Sequence, residues 1–66
     1  MKNTMRVERA RLDMTQADLA EKVDVTRQTI NAIESAKYVP SAVLAFKIAR
    51  VFGKRPDEIF ELEEGD

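Results

Sequence analysis

Residues 15–34 read TQADLAEKVDVTRQTINAIE, and their pattern decides the fold. Thr15 suits an N-cap, because its hydroxyl can accept from amides of the first helical turn. Asp18, three positions on, completes a capping arrangement and favours the positive helix end. A helix then runs to Lys22, with Leu19, Ala20 and Val23 facing inward. Val23-Asp24-Val25 interrupts it, since Asp tolerates turn and left-handed backbone better than most residues. Thr26 caps a second helix that runs to about Ser35. Ile30 and Ile33 are its inward positions, and Val25 packs below its start.

Two short capped helices joined by a three-residue turn have the spacing of a helix-turn-helix, here about residues 15–35. The second helix buries only Ile30 and Ile33, which leaves Arg27, Gln28, Asn31 and the Thr29 hydroxyl outside. Arg can pair bidentately with guanine, and Gln or Asn with adenine. A Thr methyl can touch the thymine methyl. The capped N-termini at Thr15 and Thr26 aim amides and a positive dipole at phosphate.

The flanks are also helical. Thr4 to Leu12 holds good helix formers, with Val7, Ala10 and Met14 as expected inward positions. After a loop from Ala36 to Pro40, Ser41 caps a fourth helix over Ala42 to about Phe52. Leu44, Ala45, Ile48, Ala49 and Phe52 share one face of it. Gly53 suits the left-handed position that ends a helix. Pro56, Asp57 and Glu58 fit the first turn of a short fifth helix through Phe60. The tail 61–66 is acidic, either frayed or a short strand. The expected fold is all-α: one five-helix domain over residues 1–66.

Composition narrows the function. The chain has no Cys and no His, hence no thiolate nucleophile, imidazole base or Cys/His metal site. Two Gly cannot build a phosphate-cradling loop. We therefore expect no enzyme, no cofactor and no metal. No apolar stretch is long enough to span a membrane and no signal peptide is visible, so the expected location is cytoplasmic. The formal charge of −1 hides a division. Residues 1–56 hold all eleven basic residues against six acids, or +5. The last ten residues hold six acids and no base, or −6.

The stretch TQADLAEKVDVTRQTINAIE, followed by KYVPS and LAFKIARVFG, resembles the Cro/phage-repressor type of helix-turn-helix regulator, the xenobiotic-response-element family. The likeness covers about residues 5–60. At this length it is similar to the small dimeric cytolysin repressors, which implies a short two-stranded antiparallel sheet pairing Met1–Asn3 with Glu61–Glu63. It further implies a homodimer on a palindromic operator in double-stranded DNA, with helix 26–35 in the major groove. Carried over, Arg27, Gln28 and Thr29 meet bases, and Asn31 meets phosphate or a base edge. Gln16 opens its helix against a phosphate, and Lys37 and Tyr38 lie in a loop that meets the DNA backbone. Arg9 and Glu34 match a buried ion pair between the first and third helices, a structural role.

The chain departs from the family pattern in places. Asp13, Asp24 and Ala36 stand where Gly is common; Asp is tolerable there, but Ala in a left-handed position costs on the order of 1 kcal/mol, so either Ala36 is strained or this loop differs. Val39 replaces a polar residue, and Ala32 can offer a base only its methyl. Tyr38 fits two roles, as a ring that fixes the loop or as a DNA contact. The acidic tail is either a solvated end or a block that repels phosphate from that side of the molecule. Val43, Phe46, Val51, Phe60 and Leu62 exceed what one small core needs, which leaves partial burial in the monomer or a dimer surface. The dimer surface is expected at Val51, Phe52, Phe60 and Leu62. A protein-interaction module that keeps the fold, such as an antitoxin-like partner or adaptor, is the competing reading.

Overall fold

Side-chain caps set where the helices begin. The hydroxyls of Thr15, Thr26 and Ser41 accept from the amides of Asp18, Thr29 and Leu44 at 3.0, 3.1 and 3.2 Å. The computed structural model describes residues 1–66. Its elements are β1 (Lys2–Asn3), α1 (Met5–Arg11), α2 (Gln16–Val23), α3 (Arg27–Glu34), α4 (Ala42–Phe52), α5 (Pro56–Ile59) and β2 (Phe60–Glu61). The expected five helices are all present, within a residue or two at their ends.

The helix C-termini follow one scheme. Asp13, Asp24, Ala36 and Gly53 after α1 to α4 all have left-handed backbone, with φ of 53°, 59°, 62° and 69°. The next amide in each case reaches back into the helix: Met14 to Arg9, Val25 to Ala20, Lys37 to Ala32 and Lys54 to Ala49, at 2.9–3.0 Å. These bonds satisfy carbonyls that a helix end would otherwise leave unpaired.

The core gathers Met5, Leu19, Ala20, Val23, Ile30, Ile33, Ile48, Ala49, Phe52 and Ile59. Met14, Val25, Leu44, Val51 and Phe60 pack around it, half-buried. Helix α2 packs on both α3 and α4, and α4 carries α5. Helix α3 is thus held by its inner face with its outer face free.

The inward face of α1 differs from the expected one. Val7 and Ala10 lie exposed, while Met5 and Glu8 are buried. Met5, Glu8 and Arg9 form a stripe at helical spacing in which a carboxylate takes an inside place. Glu8 Oε1 accepts from Arg11 Nε at 2.8 Å and Oε2 faces Lys54 Nζ at 3.3 Å. Arg11 NH2 also donates to the Phe52 carbonyl at the end of α4, at 2.9 Å. A hydropathy pattern passes over such a position, because its burial depends on cations supplied from α1 and the α4–α5 turn.

The chain ends form the expected antiparallel pair, one residue out of the expected register. Lys2 lies opposite Glu61 and Asn3 opposite Phe60. The Thr4 amide donates to the Ile59 carbonyl at 2.9 Å, and Asn3 Nδ2 donates to the Ile33 carbonyl at 2.9 Å. The second bond ties the strand to the end of α3.

Candidate nucleic-acid interface

Ile30 and Ile33 anchor α3 in the core, and helical geometry then turns Arg27, Gln28 and Asn31 outward. These three side chains and Gln16 line a shallow hollow on the outer surface of the α2–α3 unit. Thr29 is placed differently from the expectation of a free hydroxyl. It is half-buried, and its Oγ1 lies 3.0 Å from Thr26 Oγ1. The two hydroxyls bond each other beside the cap, so the methyl is the part of Thr29 left for an apolar contact.

Behind this surface lies an ion pair. Arg9 Nε and NH2 donate to the two oxygens of Glu34, the second at 2.9 Å, and Arg9 NH1 donates to the Met14 carbonyl at 3.0 Å. The Glu34 side chain is 1% exposed and that of Arg9 14%. Hydrogen bonding to Glu34 raises the Arg9 pKa, against the opposing effect of burial. The structure thus brings Arg9 and Glu34 together across α1 and α3, with two parallel bonds that fix angle as well as distance.

Gln16 continues the network outward, which the sequence did not reveal. Its Nε2 donates to Glu34 Oε1 and to Asn31 Oδ1, both at 3.2 Å. Residues 15 and 18 positions apart carry no pattern that announces such bonds. Only the packing of α2 against α3 creates them.

Thr15 and Thr26 stand at the starts of α2 and α3. In α2 the capping box is closed, with the Thr15 amide donating to Asp18 at 3.0 Å. Hydrogen bonds from Thr15 hold the Asp18 carboxyl below the usual range. Lys37 and Tyr38 lie exposed in the loop after α3, with Tyr38 half accessible.

The chain matches a helix-turn-helix family model over residues 5–59. It is 52% identical over 66 residues to an HTH-type transcriptional regulator of Methanocaldococcus jannaschii, covering 100% of both chains. It is 48% identical over 64 residues to the HTH-type transcriptional regulator YgzD of Bacillus subtilis, covering 97% of each. A regulator of the same description in Methanothermobacter thermautotrophicus is 48% identical over 65 residues, covering 97% of this chain and 94% of its own. The chain belongs to the Cro/repressor-type helix-turn-helix regulators of the xenobiotic-response-element family. Its activity is DNA-binding regulation of transcription.

As a regulator of this family, the protein shows two further surfaces. Val43 and Phe46, three positions apart on α4, are 65% and 64% exposed, and Val39 just before them is 53% exposed. The expected dimer surface changes accordingly. Phe52 is 3% exposed and belongs to the core of the single chain, because it shares the inner face of α4 with Ile48 and Ala49. Val51 and Phe60 are half-buried against that core, and only Leu62 stands free. In the acidic tail, Glu63 and Asp66 face the Met1 amino group, each at 3.3 Å. No helix of the protein is long and apolar enough to cross a membrane.

Proposed function

We propose that this regulator is a sequence-specific repressor that binds a palindromic operator as a homodimer, with α3 in the major groove. One observation carries the reading: Arg27, Gln28 and Asn31 stand together, exposed, on a helix whose other face is locked in the core. Arg27 suits guanine and Gln28 adenine, while the Thr29 methyl suits a thymine methyl. Phosphates would be met by the loop residues Lys37 and Tyr38, by backbone amides of Gln16 and Thr26 at the starts of α2 and α3, and by the hydroxyl hydrogen of Thr15, whose own amide is taken by Asp18. Gln16 would act there through its main chain, since both hydrogens of its side-chain amide are engaged within the protein.

Self-association is supported by Val43 and Phe46, two large apolar side chains that are largely exposed in the single chain. A domain of this size gains stability by covering such a surface. The two recognition helices of a dimer would address half-sites about 34 Å apart. Repression would follow from occluding polymerase.

Selection from a random DNA pool tests the reading. We expect an inverted repeat whose binding weakens steeply with salt. Gln28→Ala should lose about 1–3 kcal/mol of discrimination at one operator position. Lys37→Ala should weaken all sequences alike and lower the salt slope. Absence of salt-sensitive binding to any recovered sequence rejects the proposal. A promoter–reporter assay, in which expression of the protein should lower output, tests repression separately.

A further inference from the structure

We infer that Gln16 is a positioning residue that sets the hydrogen-bonding polarity of Asn31, so that α3 presents DNA with an amide donor at that position. The inference rests on the reading that α3 enters the major groove.

The polarity is set from the inside outward. Both Glu34 oxygens accept from Arg9 in the α1–α3 ion pair, so the Glu34 side chain turns only acceptors toward Gln16. The Gln16 amide must then face Glu34 with its nitrogen, since its oxygen would oppose a carboxylate oxygen. The second hydrogen of that nitrogen is directed at Asn31, 3.2 Å away. An amide nitrogen accepts no hydrogen bond, so Asn31 must answer with Oδ1. Turning the Asn31 amide over would set donor against donor. Its Nδ2 is thereby left without a protein partner, on the exposed side of α3.

This arrangement bears on what Asn31 reads. A two-fold contact to adenine needs the amide oxygen as well as the nitrogen. Here the oxygen already gives one of its two lone pairs to Gln16, whereas the NH2 group is wholly free. A guanine O6/N7 edge or a phosphate oxygen needs only the free NH2 group. The NH2 group of Asn31 is thus offered to a hydrogen-bond acceptor on DNA, a purine edge or a phosphate oxygen, and the experiment separates the two sources.

The test takes the sequence selected by the wild-type chain and measures Kd for Asn31→Ala, Asn31→Asp, Gln16→Met and the Gln16→Met/Asn31→Ala double variant. Melting curves confirm that each is folded. Asn31→Ala should lose preference for a purine at one position if the acceptor is a base, or weaken all sequences alike if it is phosphate. Asn31→Asp keeps the bond from Gln16 but turns a carboxylate oxygen to DNA, and should bind at least tenfold more weakly than Asn31→Ala. Gln16→Met should weaken binding severalfold when Asn31 is present and cost nothing further in the Asn31→Ala background. A merely structural role for Gln16, or a direct phosphate contact by its side chain, would give equal losses in both backgrounds and overturn the inference. So would equal binding by Asn31→Asp and Asn31→Ala. Failure of the wild-type chain to recover any operator would instead defeat the major-groove reading, before any variant is made.

Discussion

Ala36 carries a cost visible in a single dihedral angle. Its φ of 62° places Cβ in the left-handed region, yet the reverse bonds from Ala36 to Ile33 and from Lys37 to Ala32 require that conformation to close α3. Ala36→Gly should therefore stabilise the protein by about 1 kcal/mol, raising Tm by roughly 4–8 °C in calorimetry. An unchanged or lower Tm would mean that the loop relaxes around Ala36 without strain. The left-handed site at Asp24 was legible because Asp tolerates that backbone at a break between helices, whereas those at Asp13 and Ala36 were pointed to only by the resemblance, which has Gly there. The link from Gln16 to Asn31 was not legible, because it exists only once two helices are packed.

At the scale of elements, the outer face of α3 and the inner face of α1 contrast. The α3 pattern is binary, with Ile30 and Ile33 inside and polar residues outside, so its free face could be read directly. The α1 stripe mixes Met5 with Glu8 and Arg9, and a reading by hydropathy selected Val7 and Ala10 instead. What orients α1 is charge pairing with α3 and with the end of α4. Glu34→Ala would leave Arg9 partly buried without its partner, at a cost on the order of 3–5 kcal/mol. For a domain this small that approaches the whole stability, so chemical denaturation should show a largely unfolded population in water. A loss under about 1 kcal/mol would show that the pair behaves as an exposed one.

Two predictions concern the whole molecule. The first is assembly. Phe46→Glu should abolish dimer formation in sedimentation experiments and weaken operator binding at least tenfold, because burying a Phe side chain contributes about 1.5–3 kcal/mol. The far-ultraviolet spectrum should be unchanged, since Phe46 is 64% exposed in the single chain. A dimer that survives the substitution would place the interface elsewhere.

The second is acid stability. The Arg11 hydrogen bond, with help from Lys54, holds the Glu8 carboxyl below its ordinary value of about 4.5, against the opposing effect of burial. As pH falls, the unfolded chain therefore takes up the proton before the folded one. The contribution of Glu8 is complete above that ordinary value and disappears as pH drops through the lowered folded value. Asp18 shifts in the same direction. Tm should hold steady from neutral pH down to about 5 and fall below about 4.5. Glu8→Gln should lower Tm at pH 7 and flatten the acid limb. An acid limb as steep as that of the native chain would assign acid sensitivity to other carboxylates.

The sequence by itself determined the helices, their caps, the turn between α2 and α3, and the residues offered on the outer face of α3. These follow from hydrogen bonds between near neighbours and from a hydrophobic period that repeats within each helix. Tertiary structure alone decided which face of α1 turns inward, the register of Lys2–Asn3 against Phe60–Glu61, and the hydrogen bonds that extend the Arg9–Glu34 pair through Gln16 to Asn31. Each of these depends on a charge or hydrogen-bond partner distant in the chain. A buried polar group reveals its place only when that partner has been brought beside it.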